Sequence, residues 1–217
     1  MNTKSSRFVC VVLAGMLACA PLALTAELKS IQLPEPQMDG GKPLFQVLKN
    51  RKSERNFSTK ELSDQVLSNL LWAAWGINRP ESGRRTAPSA KNRQEVDIYV
   101  TTADGVYLYD AKAHQLKHIL AKDLRAATGW QEFVKSAPLN LVYVVDLSRG
   151  ASDEDAAVFR AAILTGCIVQ NVHLFCASEG LATVARASVD GPALAKAMGL
   201  RDNQRFLIAQ TVGYPAK

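Results

Sequence analysis

The sequence predicts an α+β domain, on three observations. Helical and strand-like segments are mixed without the regular strand-helix alternation of a doubly wound sheet. One apolar run, residues 153–179, is too long for a strand and carries cap residues at both ends. Runs with alternating or β-branched character, at residues 95–102, 106–110, 139–147 and 205–212, supply the strands of a sheet.

Taken in order, the chain opens with Lys4 and Arg7, an apolar run over residues 8–24, and Thr25-Ala26 before Glu27. That pattern is a secretory signal peptide over residues 1–26, so the mature chain is expected to be periplasmic or secreted, with no stable membrane span after cleavage. About 190 residues then remain, enough for one domain with a substantial core. Losing Lys4 and Arg7 lowers the formal charge of +6 by two, to +4. Such a balance suits a small anionic ligand and excludes nucleic acid as the partner, which calls for a dense basic face. Only Cys167 and Cys176 lie beyond the leader; nine residues apart on a helix, they point to opposite sides and cannot bridge each other.

Residues 27–42, with Pro34, Pro36, Gly40 and Gly41, read as an extended N-terminal arm, which leaves residues 43–217 as the domain proper. Residues 43–49 read as a short amphipathic helix with Leu44, Phe45 and Leu48 on one face. A second helix starts at Ser63 as N-cap, buries Val66, Leu67, Leu70, Leu71 and Trp75, and stops at Gly76. Residues 78–93, rich in Pro, Ser, Gly, Arg and Asn, read as a loop of the length that is either disordered or functional. Asp104-Gly105 is a hairpin signal between two strands, and residues 116–120 add a third. Residues 123–133 read as helix and residues 139–147 as a buried strand. For the long helix, Ser152 is the expected N-cap with Asp155 as its capping-box partner, and Gly180 is the left-handed residue that ends it. Its apolar residues, among them Val158, Phe159, Ile163, Val169, Leu174 and Phe175, leave little room for a polar stripe. It therefore reads as buried nearly all round, either as a core helix or as a subunit interface, with Gly166 as a point of close backbone approach. Arg160, Gln170, Asn171 and His173 argue against a membrane span. Residues 181–189 read as strand or extended loop, 192–198 as a short helix with Pro192 in its first turn, and 205–212 as the final strand.

Two segments concentrate chemistry. Arg51-Lys52-Ser53-Glu54-Arg55 sets cations and a hydroxyl close together, the means to hold a phosphate by charge-assisted hydrogen bonds. The same cluster also reads as solvated surface, since a helix C-terminus favours cations by its dipole alone. The loop over residues 84–94 offers a proline-fixed backbone, the Ser89 hydroxyl and the amides of Asn92 and Gln94, which suit the polar edge of a flat heterocycle; an ordinary surface loop is the other reading. His114 and His118 lack the companions of a zinc site and read as polar surface, and His173 reads as a core or interface residue.

Five stretches in succession carry a resemblance. They are Arg51-x-Ser53-x-Arg55 after a short helix, Leu70-Leu71-Trp72-Ala73-Ala74-x-Gly76-Ile77-Asn78, Arg85-Thr86-Ala87-Pro88-Ser89-Ala90-x-Asn92-x-Gln94, the long apolar helix ending at Gly180, and Val212-Gly213-Tyr214-Pro215. Together, over residues 43–215, they resemble the nitroreductase family, and within it the branch that includes the thiazoline/oxazoline dehydrogenases. The resemblance implies an α+β fold with a mixed central sheet flanked by helices, a homodimer built on the long helix, and FMN at the subunit interface. By position it implies that Arg51, Lys52, Ser53 and Arg55 hold the FMN phosphate and ribityl chain. Pro88, Ser89, Ala90, Asn92 and Gln94 would line the isoalloxazine ring, and Ala187 and Ser188, where the family usually has a glycine, would lie near flavin N5. No catalytic side chain and no metal is implied, because the flavin carries the redox chemistry. The function implied is an exported FMN-dependent oxidoreductase passing hydride or electrons through N5 to or from a small substrate. Cytoplasmic relatives commonly take hydride from a nicotinamide, so an exported one is expected to use a periplasmic electron donor. The alternative is a non-catalytic flavin- or ligand-binding protein that keeps the fold.

Overall fold

The computed structural model describes residues 29–150 and 153–216; the signal peptide expected over residues 1–26 and the Ser152 cap lie outside them. In chain order the elements are β1 (Ile31–Gln32), α1 (Leu44–Asn50), α2 (Asp64–Trp75), β2 (Ile77–Arg79) and β3 (Arg84–Arg85). There follow β4 (Val96–Thr101), β5 (Val106–Asp110), β6 (Gln115–Leu120), β7 (Leu139–Asp146), α3 (Glu154–Glu179), β8 (Ala182–Arg186), α4 (Gly191–Met198) and β9 (Gln204–Gly213). Seven strands form one sheet in the order β1-β6-β5-β4-β7-β9-β8, and β2 and β3 pair separately. The α+β class stands, with one correction: the sheet expected to be mixed is antiparallel at every described pairing. The strands β4, β5 and β6 are joined by tight turns, which can only connect antiparallel neighbours.

Period-two alternation puts a core on each face of this sheet. Val96, Ile98 and Val100 of β4 and Leu139, Leu141, Tyr143 and Val145 of β7 pack with α2 and α3. Tyr99, Val142 and Val144 point the other way, onto Leu124, Leu194 and Met198. The arm is extended, as expected, and is joined to the sheet: β1 pairs with β6 and Leu33 is buried. His114 is not simple polar surface, because its ring lies 2.7 Å from Ser68 Oγ, 3.1 Å from Tyr109 OH and 3.1 Å from the Pro34 carbonyl, tying the arm to α2 and the hairpin.

The long helix runs almost as read but is capped and buried differently. Asp153 is the N-cap, accepting from Ala156 N, so Asp155 has no capping-box role; Gly180, at φ 72°, ends the helix in the left-handed conformation. Ala157, Ala161, Leu164, Ile168, Val172 and Cys176 form one buried stripe, while Phe159 and Ile163 are 68% and 57% exposed. Within the chain α3 is thus buried on one side only, and a Cβ added at Gly166 would meet no neighbouring element within 4 Å, where a close approach was expected. By length and composition α3 is apolar enough to cross a membrane; here its buried stripe is the core of the fold. In α1 the expected core face is likewise outside: Val47 is buried, whereas Leu44, Phe45 and Leu48 are 59%, 85% and 45% exposed.

Two irregular segments also differ. The loop read over residues 78–93 contains the β2–β3 hairpin and a 3-10 turn, Ala90–Asn92. Residues 123–133 are not one helix but two 3-10 turns, Arg125–Thr128 and Glu132–Lys135, separated at Gly129. The break has a cause: a Cβ at position 129 would collide with the Arg186 guanidinium, which reaches through this point to the Thr128 carbonyl.

Candidate functional site

At Arg51 the chain leaves α1 in an extended conformation and runs along β8, the last strand of the sheet. Glu54 N–H donates to the Thr183 carbonyl at 2.9 Å, and Ser58 N–H to the Tyr214 carbonyl at 2.8 Å. This pairing leaves Lys52, Ser53 and Arg55 exposed and Arg51 half-buried. Lys52 is paired with Glu54 at 3.0 Å, whereas among the described residues no hydrogen bond or ion pair engages the side chains of Arg51, Ser53 or Arg55. Two guanidinium groups and a hydroxyl therefore stand ready along one sheet edge for an anionic ligand.

Beneath this segment is a cavity of about 180 Å³ that reaches Lys52, Glu54, His173, Cys176 and Thr183. His173 is buried, and its Nδ1 has no hydrogen-bond partner among the described residues. Burial, and then the charge of Arg51, lower its pKa; burial also lowers that of His114. Below the ordinary histidine value of about 6.5, the unfolded chain takes up protons that the folded chain refuses. The stability contributed is complete above that value and is lost as pH falls through the window beneath it. The unfolding temperature is accordingly expected to fall as pH drops below about 6.5, and His173→Gln to flatten part of the slope. A pH profile of thermal unfolding checks this; an unaltered slope in the variant would remove His173 from the account.

At the other end of β8, Ala187 and Ser188 leave the sheet exposed, with the Ser188 carbonyl accepting from Trp130 N–H at 3.3 Å. Trp130 is 74% exposed beside them. Sequence reasoning passed it over because it lies in the segment read as an ordinary helix. Arg186, just before Ala187, is 5% exposed. It donates to the Thr128 carbonyl, to Asn140 Oδ1 at 2.8 Å and to Thr211 Oγ1 at 2.8 Å, all neutral acceptors, and burial lowers its pKa to about 10. This cation anchors the 3-10 turns, and with them Trp130, to the sheet.

The loop expected to line a flat ring is held by its own amides. Lys91, Asn92 and Gln94 have φ of 53°, 53° and 52°, a left-handed conformation costing non-glycine residues about 1 kcal/mol or more each. Gln94 Nε2 donates to the Gly83 carbonyl at 2.8 Å and to Asn92 Oδ1 at 2.9 Å, while Gln94 Oε1 accepts from Arg85 Nε at 2.7 Å. The amides of Asn92 and Gln94 thus pin the strained turn to the β2–β3 hairpin, and Asn92 also lines the cavity beside it. Pro88 and Ala90 are exposed on the rim; Ser89 Oγ accepts from Gln94 N–H and donates to buried Glu95 at 3.3 Å. The loop borders a cavity of about 420 Å³.

The expected site residues form two groups rather than one. Arg51 to Arg55 and Ala187–Ser188 flank the same strand, with Thr183 and Ala187 about 13 Å apart along it. The 88–94 loop lies elsewhere: Arg149, just before α3, donates to the Gln94 carbonyl at 2.9 Å and pairs with Asp97 at 2.6 Å. Lys52 sits by the opposite end of α3, at His173 and Gly180, so the groups are separated by roughly 30 Å of helix. Among the described residues no cluster of His, Cys, Asp and Glu suits a metal ion.

The model of the nitroreductase family matches residues 48–214. A candidate nitroreductase from Methanocaldococcus jannaschii is 33% identical over 165 residues, covering 71% of this chain and 81% of the relative. The crystal structure of a candidate nitroreductase from Ralstonia eutropha superposes with a TM-score of 0.83 at 40% identity, over 87% of this chain and 90% of that one. A candidate nitroreductase from Desulfovibrio desulfuricans, solved in complex with FMN, shares the fold at a TM-score of 0.60 and 22% identity, over 81% of this chain and 88% of that one.

Proposed function

We infer, because the chain belongs to the nitroreductase family of FMN-binding oxidoreductases, that it is an exported FMN-dependent oxidoreductase acting on a small substrate, with a site completed by a second copy of itself. The observation that carries this reading is the pair of unengaged guanidinium groups, Arg51 and Arg55, flanking Ser53 on the edge beside β8, in line with Ala187–Ser188. These residues fit the cofactor: the cations and hydroxyl suit a phosphate, and the exposed residues Ala187 and Ser188 after β8 suit the edge of a ring. When bound, FMN supplies two-electron transfer to or from the substrate. The chain's part is to grip, orient and shield. Arg51, Ser53 and Arg55 would hold the phosphate and ribityl chain, with Lys52 shared with Glu54. Ala187 and Ser188 would approach the ring edge, and Pro88, Ser89 and Ala90 would close over the ring from the second copy, since one chain keeps its own loop roughly 30 Å away. The signal-like leader favours export and a periplasmic reductant in place of a nicotinamide.

The test is the visible spectrum of protein desalted after incubation with excess FMN, which is expected to show bound flavin. Arg51→Gln removes one charge-assisted contact of about 1.5–3 kcal/mol and should weaken FMN binding at least tenfold with the fold intact. A wild-type protein that stays colourless would sink the reading.

A further inference from the structure

The cavity beside the 88–94 loop has a charge that the cofactor does not account for. Arg79, Arg84, Arg85 and Lys91 line it together with Pro88 and Ser89, and its volume of about 420 Å³ falls within the ~300–1,000 Å³ usual for small-molecule sites. Among the described residues none of these four cations is in an ion pair. Arg85 is fixed in place by neutral groups, donating to the Trp75 carbonyl at 2.9 Å and to Gln94, with its guanidinium 4.7 Å from the centre of the Trp75 ring. Burial lowers its pKa. Arg79 bonds the Arg85 carbonyl at 2.8 Å and the Asn78 side chain at 3.1 Å. Arg84 and Lys91 make no side-chain bond among the described residues. Glu95, which takes the Ser89 hydroxyl, lies buried behind the wall and offsets one charge of the four. The left-handed backbone at Lys91 and Asn92, pinned by the Gln94 amide, fixes the wall that carries Lys91.

Asp97 and Asp110 act on Arg85 from farther off, but none of the four cations is directly paired, so the like charges in this concave site repel one another, an arrangement that a multiply charged anion relieves. We propose that this cavity is a binding site for a small organic polyanion, bearing carboxylate or phosphate groups, and that it selects the substrate by charge. As an anion site it stands on the cavity; as the substrate subsite it rests on the flavin reading, in which this loop closes over the ring. Arg84 and Lys91 are the recognition residues, and Arg79 and Arg85 the fixed part of the cradle.

The experiment is isothermal titration of full-length protein, FMN-free and FMN-loaded, with citrate and with pyrophosphate, whose two arms separate carboxylate from phosphate recognition. Wild-type protein is expected to bind at least one of them, more weakly as ionic strength rises from about 0.05 to 0.5 M. The double substitution Arg84→Gln with Lys91→Gln should weaken that binding at least tenfold, leaving the unfolding temperature and FMN affinity unchanged. The proposal is overturned if neither anion binds, if the variant binds as wild type does, or if it loses FMN in parallel, which would make the cavity part of the cofactor site. Anion binding by a protein that takes up no FMN would leave the anion site standing and remove the flavin reading alone.

Discussion

Replacing Arg186 by leucine is expected to destabilise the fold by about 2–4 kcal/mol, among the larger effects of a single substitution. The guanidinium is 5% exposed and gathers acceptors from three separate segments: the Thr128 carbonyl, Asn140 Oδ1 and Thr211 Oγ1. Two opposing terms decide the size. Removing a buried cation that has no carboxylate partner relieves its desolvation, which favours the variant. Against that, a buried carbonyl left without a donor costs about 1–3 kcal/mol, and the charged hydrogen bonds themselves are worth about 1.5–3 kcal/mol each. Thr211 Oγ1 donates to Asn140 Oδ1 at 2.6 Å without the arginine's help, so the loss is expected to centre on Thr128 and on the junction between the 3-10 turns and the sheet. Arg186→Lys keeps the charge but not the fork, and should fall between the two. Urea unfolding checks the series, read as a shift in midpoint at constant slope. A loss below about 1 kcal/mol for leucine would mean that the desolvation term wins.

That network also marks where the sequence stops being legible. Both ends of α2, the Gly180 end of α3, the two-faced alternation of β4 and β7, and the Asp104-Gly105 turn are written in local signals, and the structure follows them. What lies opposite a given face is a long-range fact. The Arg186 partners sit 25 to 58 residues away, so nothing near Arg186 announces them, and the break at Gly129 follows from Arg186 rather than from its own neighbours. The same limit explains α1 and α3. An apolar face, whether the one face of α1 or the second face of α3, reads as buried, but its sequence does not say whether its own chain or another covers it. Asn92 and Gln94 are a subtler case. Their spacing shows that two amides are at hand, not that three left-handed residues need those amides as struts. In the candidate site, the clustering of cations from Arg51 to Arg55 is local and legible, whereas the sheet edge that leaves Arg51 and Arg55 unengaged is set by pairing with residues 183 and 214.

Ile163→Glu is expected to leave the protomer folded while abolishing both self-association and flavin retention. In one chain Ile163 is 57% exposed and Phe159, one turn before it, 68% exposed, so a charge at position 163 meets water and the protomer loses little. Gly166, where an added Cβ would meet open space, continues the same exposed side and would let a second backbone come close. In a two-fold interface each substitution acts twice. Each copy forfeits about 1.5–3 kcal/mol of buried isoleucine and incurs several more for a desolvated carboxylate, enough to weaken association by at least ~1,000-fold. The flavin is lost with the dimer because one chain holds Arg51 to Arg55 and the 88–94 loop at opposite ends of α3. A monomer therefore offers a phosphate grip without a cover for the ring. Light scattering reads the first loss and the visible spectrum the second, while Ile163→Val should retain both. A wild-type protein that is monomeric, or a monomeric variant holding FMN as tightly as wild type, would refute the shared site and leave the cations beside β8 as a surface feature.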